Sequence, residues 1–102
     1  LTLVTYCVSM IKSFQSKETE KVWFGKYSTK LPKEIQQFAR RKLKMLNNSV
    51  NLIDLRIPLS NSLEKLRGNL KKFYNIRINQ KWRIIFNWKN GNAFKVKIVD
   101  YH

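Results

Sequence analysis

Asn90-Gly91 stands between two runs of largely apolar, strand-forming residues, and this pair restricts the possible folds more than any other feature of the chain. Both residues tolerate a positive φ, which a two-residue type I′ turn requires at each of its central positions, so the pair predicts a tight β-hairpin. From Leu63 onward the hydrophobic period is two, which predicts strands at about 63–66, 73–78, 82–89 and 93–99. Such a run of short strands is an antiparallel meander, and whatever precedes it must cover one of its faces.

The preceding residues carry helical signals. Ser16-Lys17-Glu18-Thr19-Glu20 predicts a helix start, with Ser16 as cap and Glu18 and Glu20 at the positive end of the helix dipole. Val22, Trp23 and Tyr27 are its expected buried side, and Gly25 either ends it or weakens it. Thr29-Lys30-Leu31-Pro32-Lys33-Glu34 opens a second helix, the proline sitting in a first turn where its missing N–H has no partner to lose. Ile35, Phe38, Ala39, Leu43 and Leu46 then form one apolar stripe, which Asn47-Asn48-Ser49 should end. Arg40, Arg41, Lys42 and Lys44 lie opposite, either as a solvated face or as a patch that grips phosphates. Leu52, Ile53 and Leu55 predict a further short turn or helix stopped near Pro58, and Ser60-Asn61-Ser62 a loop. Met10-Ile11-Lys12-Ser13-Phe14 alternates and reads as an opening strand. The order of one strand, helices and a meander predicts an α+β fold with the helices on one side of a small antiparallel sheet.

Charge narrows the function. Twenty-one lysines and arginines face 6 acids, giving a net charge of +15. Self-repulsion of that size points to a polyanionic partner: nucleic acid first, an acidic protein surface second, an anionic membrane third. The 102 residues suit a single domain, expected over 10–102, with residues 1–9 as an N-terminal extension ahead of Met10 or as a genuine first strand. The single cysteine, Cys7, has no intramolecular partner, which fits a reducing cytoplasm, and no apolar run is long enough to cross a membrane. One cysteine and one histidine make no convincing zinc set, and no Gly-rich phosphate loop or Ser–His–Asp constellation is visible.

The hairpin between the second and third strands is the best place for chemistry. With Asn79-Gln80-Lys81 as a three-residue loop, Arg77 falls opposite Arg83 on one face; with a two-residue loop the two face opposite ways. Like charges placed opposite each other destabilise a sheet, and a phosphate between them reverses the sign. Across Asn90-Gly91, a regular ladder pairs Ile85 with Val96 and Arg83 with Ile98. Continued alternation puts Asp100 and His102 on the Arg83 face and Tyr101 on the other. His102 is either a proton donor suited to neutral pH or a frayed end. Phe73, Tyr74, Trp82 and Trp88 can stack bases or fill a core, the core being favoured for Trp82 and Phe86.

At these residues the chain resembles a known family. Leu63-Glu64-Lys65-Leu66-Arg67-Gly68, the block Ile76-Arg77-Ile78-Asn79-Gln80-Lys81-Trp82-Arg83-Ile84, and Val99-Asp100-Tyr101-His102 resemble HigB toxins of bacterial toxin–antitoxin pairs, within the RelE/ParE-like superfamily. The resemblance runs from Met10 to His102. It implies a microbial RNase-like (RelE-like) fold and a metal-independent endoribonuclease, an mRNA interferase with no cofactor. Such an enzyme cleaves mRNA in the A site of the 70S ribosome by attack of the 2′-hydroxyl, inhibiting translation and arresting growth in the bacterial cytoplasm. The implied partners are mRNA, rRNA and a cognate HigA-like antitoxin with a DNA-binding helix-turn-helix.

The same resemblance assigns roles. Arg77 and Arg83 clamp the scissile phosphate, and His102 is the general acid, with Asp100 and Tyr101 beside it. Glu64, where some HigB toxins carry a histidine, is the base. Arg67, where relatives have a lysine or another small-loop residue, contacts phosphate, and Lys71 and Lys72 add positive field near it. Independently of the resemblance, Arg40, Arg41 and Lys44 on the second helix are the candidates for gripping RNA phosphates. Blander readings make Glu64 a surface charge paired with Lys65 or Arg67, and Arg83 a brace against Asp100. The alternative for the whole chain is a non-catalytic ribosome- or RNA-binding module neutralised by an acidic partner, with Glu64 and His102 dispensable.

Overall fold

The computed structural model describes residues 11–66 and 72–100. Two helices, α1 (Lys17–Trp23) and α2 (Lys33–Asn48), precede two short 3-10 turns, Leu52–Arg56 and Leu59–Asn61. Four strands follow: β1 (Glu64–Lys65), β2 (Phe73–Arg77), β3 (Trp82–Lys89) and β4 (Asn92–Asp100). They form one antiparallel sheet in the order β1-β2-β3-β4, so the meander read from the sequence is the sheet observed.

Local chemistry explains the helix ends. The Ser16 hydroxyl accepts from the Thr19 N–H at 3.1 Å, the expected cap. Gly25 ends α1 and does not merely weaken it: at φ +79° it takes the left-handed turn that a side chain resists, and its N–H donates to the Val22 carbonyl at 3.0 Å. Tyr27 lies beyond this reversal, where the helical period no longer applies, and it is exposed rather than buried. In α2 the buried residues are Ile35, Ala39, Leu43 and Leu46. Phe38 lies about 100° round the helix from Ala39, so it falls off that stripe and is 53% exposed, with the Arg41 guanidinium 5.7 Å from its ring centre. Pro32 stands at the N-cap, one residue earlier than expected.

One face of the sheet meets the helices. Ile76, Ile84, Phe86, Ala93, Val96 and Ile98 pack there against Val22, the α2 stripe and Leu55. Tyr74, Trp82 and Trp88 are partly buried against the same core, with Tyr74 stacked on Phe86 and Trp88 edge-on to it. These aromatics serve packing. The opening segment is less regular than a strand: Ile11 and Phe14 make isolated parallel bridges to Ala93 and Val96, on the outer side of β4. Met10 lies outside the described residues.

Two turns decide the register. Asn90 and Gly91 have φ of 52° and 79°, the conformation inferred from their identity, and Lys89 pairs with Asn92. The ladder beyond is not regular, however. Asn87 pairs with Phe94 but Ile85 pairs with Lys97, so β4 carries one residue more than β3. Lys95, at φ 53°, marks this bulge. The expected pairs Ile85–Val96 and Arg83–Ile98 are therefore replaced by Ile85–Lys97 and Arg83–Val99. The cause is packing: the bulge lets Ala93 on one side and Val96 and Ile98 on the other all face the core.

The segment expected as loop holds a second departure. Asn61, in the second 3-10 turn, is fully buried and donates to the Leu55 carbonyl at 3.1 Å. Its side-chain oxygen draws in the Lys42 ammonium, so Lys42 leaves the solvated face assigned to it, and burial lowers its pKa.

Glu18 ties α1 to the loop that follows. The buried Ser28 hydroxyl donates to its carboxylate, and this bond holds the carboxyl below its ordinary pKa of 4.5, helped by nearby Lys21 and Lys30. A depressed carboxyl stabilises the fold above the unfolded pKa, and that contribution is lost as pH falls through the folded value. Glu18→Gln is therefore expected to narrow the drop in urea midpoint between pH 5 and pH 3; an unchanged drop would show that the Ser28 bond adds nothing to acid stability.

Candidate active site

The sheet face turned away from the helices is assembled by register. Phe73, Asn75 and Arg77 on β2 share it with Arg83, Ile85 and Asn87 on β3, and β1 adds Glu64 directly opposite Asn75. Arg77 is the cross-strand partner of Arg83, which settles the loop question. The Ile78 N–H donates to the Trp82 carbonyl at 2.8 Å, leaving Asn79-Gln80-Lys81 as the loop. Asn79 shapes it, its side-chain oxygen accepting from the N–H groups of Lys81 and Trp82, each at 2.8 Å.

Arg83 is the centre of the cluster and only 7% exposed. A buried guanidinium needs oxygens around it, and among the described residues Asn75, Ser62 and Glu64 each supply one. Its Nη1 donates to the Asn75 side-chain oxygen and to the Ser62 carbonyl at 3.3 Å, and lies 3.5 Å from Glu64 Oε1. Glu64 keeps 57% of its side chain exposed, so it meets Arg83 from the solvent side. The residue beneath is Asn75, which is fully buried. Arg77 is partly exposed, but its Nε is covered and has no hydrogen-bond partner among the described residues.

The structure therefore brings together Glu64, Arg77 and Arg83. It separates others from them. The bulge at Lys95 turns Asp100 off the Arg83 face: it pairs with Trp82, on the helix-facing side, and its carboxylate lies 3.6 Å from Lys81 Nζ. Lys72 is exposed at the entrance to β2, its carbonyl accepting from the Trp88 N–H at 3.1 Å. Arg40, Arg41 and Lys44 belong to α2, in the layer beyond the opposite face of the sheet, and form a separate surface. Arg40 Nε there donates to the Trp23 carbonyl at 3.5 Å. Arg67, Lys71, Tyr101 and His102 lie outside the described residues. Sequence reasoning passed over Asn75 and Ser62. For Asn75 a signal existed: an amide is unusual inside a strand, and this one stands two residues before Arg77, on the same face.

A protein-family model describing the RelE-like toxin of the type II toxin–antitoxin system HigB matches residues 12–102, from the bridge to β4 through the whole sheet. The chain belongs to this HigB family. The match contains both helices and the hairpin that carries Arg77 and Arg83, so the α+β RelE-like architecture and the membership agree.

This HigB-family chain is 43% identical over 63 residues to Toxin HigB-1 of Vibrio cholerae, covering 62% of the chain and 66% of that toxin, just under two thirds of its length. It is 37% identical over 70 residues to an uncharacterized protein of Haemophilus influenzae, covering 69% of each. Endoribonuclease HigB of Proteus vulgaris is 25% identical over 93 residues, which is 91% of the chain and the whole of that enzyme. No helix among the described residues is long and apolar enough to cross a membrane.

Proposed function

We propose that this HigB-family chain is a metal-independent endoribonuclease that cleaves mRNA in the A site of the translating 70S ribosome and is silenced by a cognate antitoxin. The observation that carries the reading is the register pair Arg77–Arg83 beside Glu64. Two cations opposite each other on one sheet face repel until an anion lies between them. A phosphodiester on its way to a pentavalent phosphorane gains negative charge, so it is held more tightly in the transition state than before it. The name of the Proteus vulgaris relative, Endoribonuclease HigB, supports the same chemistry.

The reaction asks for three groups. Glu64 takes the proton of the ribose 2′-hydroxyl as that oxygen attacks the adjacent phosphorus. Arg77 and Arg83 neutralise the charge that accumulates on the non-bridging oxygens. The bond to the 5′-oxygen breaks, and His102 donates the proton that makes the leaving group a 5′-hydroxyl, Tyr101 assisting while Asp100 lies on the other face of the sheet. The assignment to His102 rests on the terminal Val99-Asp100-Tyr101-His102 motif. Arg67, Lys71 and Lys72, with Arg40, Arg41 and Lys44 on the other surface, hold mRNA and rRNA phosphates, and the net charge of +15 draws an acidic segment of the antitoxin. Occlusion of the Arg77–Arg83 face by that antitoxin, a HigA-like protein, would suppress the activity in a bacterial cytoplasm.

Primer extension on a ribosome carrying a defined codon in the A site tests the proposal. The expected result is a new 5′-hydroxyl end within that codon, absent when the same mRNA is incubated without ribosomes. Equal cutting of naked mRNA would remove the ribosome from the reading, and ribosome binding without any new end would remove the enzyme.

A further inference from the structure

Two buried polar atoms in the cluster have no hydrogen-bond partner among the described residues: Asn75 Nδ2 and Arg77 Nε. They belong to residues two apart on β2, on one face, and Arg83 is opposite one and diagonal to the other. The orientation of the amide is fixed by chemistry. Arg83 has only donors, so the atom of Asn75 that meets it must be the oxygen, and Nδ2 is left over. A buried donor without an acceptor is destabilising, so two on one strand face are expensive in a domain this small. An orphan of this kind calls for a reason other than stability.

We propose that Asn75 Nδ2 and Arg77 Nε are a donor pair kept for one oxygen of an anionic phosphoryl group, with Asn75 also positioning Arg83. Asn75 accepts from Arg83 through one end of its amide and offers the other end to the ligand, so the Arg83 guanidinium and the orphan donors are locked in one relation. The occupant must be an acceptor, because an amide NH₂ and a guanidinium N–H are donors only. It is an anion by field: Arg77 and Arg83 both border the seat. Glu64, directly opposite Asn75 and mostly exposed, is the side chain that moves aside as the ligand enters. This inference rests on the endoribonuclease reading for the identity of the phosphoryl group, and on the buried donors alone for the existence of the seat.

The probe is inorganic phosphate titrated into the full chain, read by the Arg77 Nε–H resonance and by the melting temperature. Gln15→Glu, an exposed position beside α1, serves as a control of equal charge change. Asn75→Asp keeps an acceptor for Arg83 and removes the donor. It is expected to melt no lower than Gln15→Glu, to lose the phosphate-induced shift of Arg77 Nε–H, and to bind phosphate about tenfold more weakly. On the ribosome its kcat should fall about a hundredfold, the scale for losing one oxyanion donor, with KM changed much less. A structural asparagine would instead lower melting temperature and rate together. If Asn75→Asp fails to fold, Arg77→Lys decides, since lysine keeps the charge and lacks Nε: its phosphate response must fall likewise. A phosphate response in either folded variant equal to that of the control overturns the seat. Should the wild-type chain cleave nothing while the phosphate arms behave as expected, the seat stands and the endoribonuclease reading falls.

Discussion

Arg83→Ala is expected to lower the rate of mRNA cleavage on the ribosome by about a thousandfold, the upper range for removing a preorganised donor to a developing oxyanion. The burial of the side chain is the argument. Arg83 is 7% exposed and already held by Asn75 and Ser62, so it needs little reorganisation when charge appears on the phosphate. A surface arginine would spend binding energy on becoming ordered; this one is ordered in advance. Arg83→Lys should lose nearly as much, about a hundredfold or more, because an ammonium cannot satisfy Asn75 and Ser62 and present a fork to phosphate at once. Stability separates this from unfolding. The alanine variant leaves the buried Asn75 oxygen without its donor, a cost of about 1–3 kcal/mol against a total of about 5–15 for a domain of this size. It should therefore remain folded by circular dichroism at 25 °C while single-turnover cleavage collapses. If Arg83→Lys cleaves within about threefold of wild type, bidentate recognition is not what the residue supplies.

The meander was legible because turn chemistry is local. Asn90-Gly91 specifies its φ angles without reference to anything else in the chain, and the four strands fall within a residue or two of where the period-two pattern puts them. The Arg77–Arg83 pairing was legible only as one of two alternatives, and it is Asn79, closing a three-residue loop with its side chain, that selects it. What escaped was set by contacts distant in sequence. The bulge at Lys95 answers the demand of the core for Ala93, Val96 and Ile98 together, and it moves Asp100 to the opposite face. The spacing of those three apolar residues, three and then two, was its trace in the sequence. Asn61 left no trace in the sequence, and Asn75 left only that of an amide inside a strand. A buried amide looks like any polar residue until its partners are known, and the partners here are Lys42 and Leu55 for one and Arg83 for the other. Tyr27 and Phe38 show the converse, apolar residues whose helical spacing suggested burial and whose positions, past a glycine reversal and beside the stripe, leave them exposed.

Glu64→Gln distinguishes a catalytic carboxylate from a surface charge, because the two predict opposite things of rate and binding. The ion pair itself is worth little: the Glu64 side chain is 57% exposed and its oxygen lies 3.5 Å from Arg83 Nη1, the range in which exposed pairs contribute about 0–1 kcal/mol. The glutamine keeps an oxygen for Arg83, so the melting temperature should hardly move. Removing a negative charge from the face that meets RNA strengthens the field of Arg77 and Arg83, and ribosome binding at low salt should be equal or tighter. The chemical step should nevertheless slow by about a hundred- to ten-thousandfold, the span attributed to a positioned general base. A lower Kd together with a lower single-turnover rate is a combination that neither unfolding nor a lost contact to RNA produces. Cleavage at the wild-type rate with the amide in place would assign the proton to another group and leave Glu64 with one task, holding Arg83 from the solvent side until the phosphate arrives.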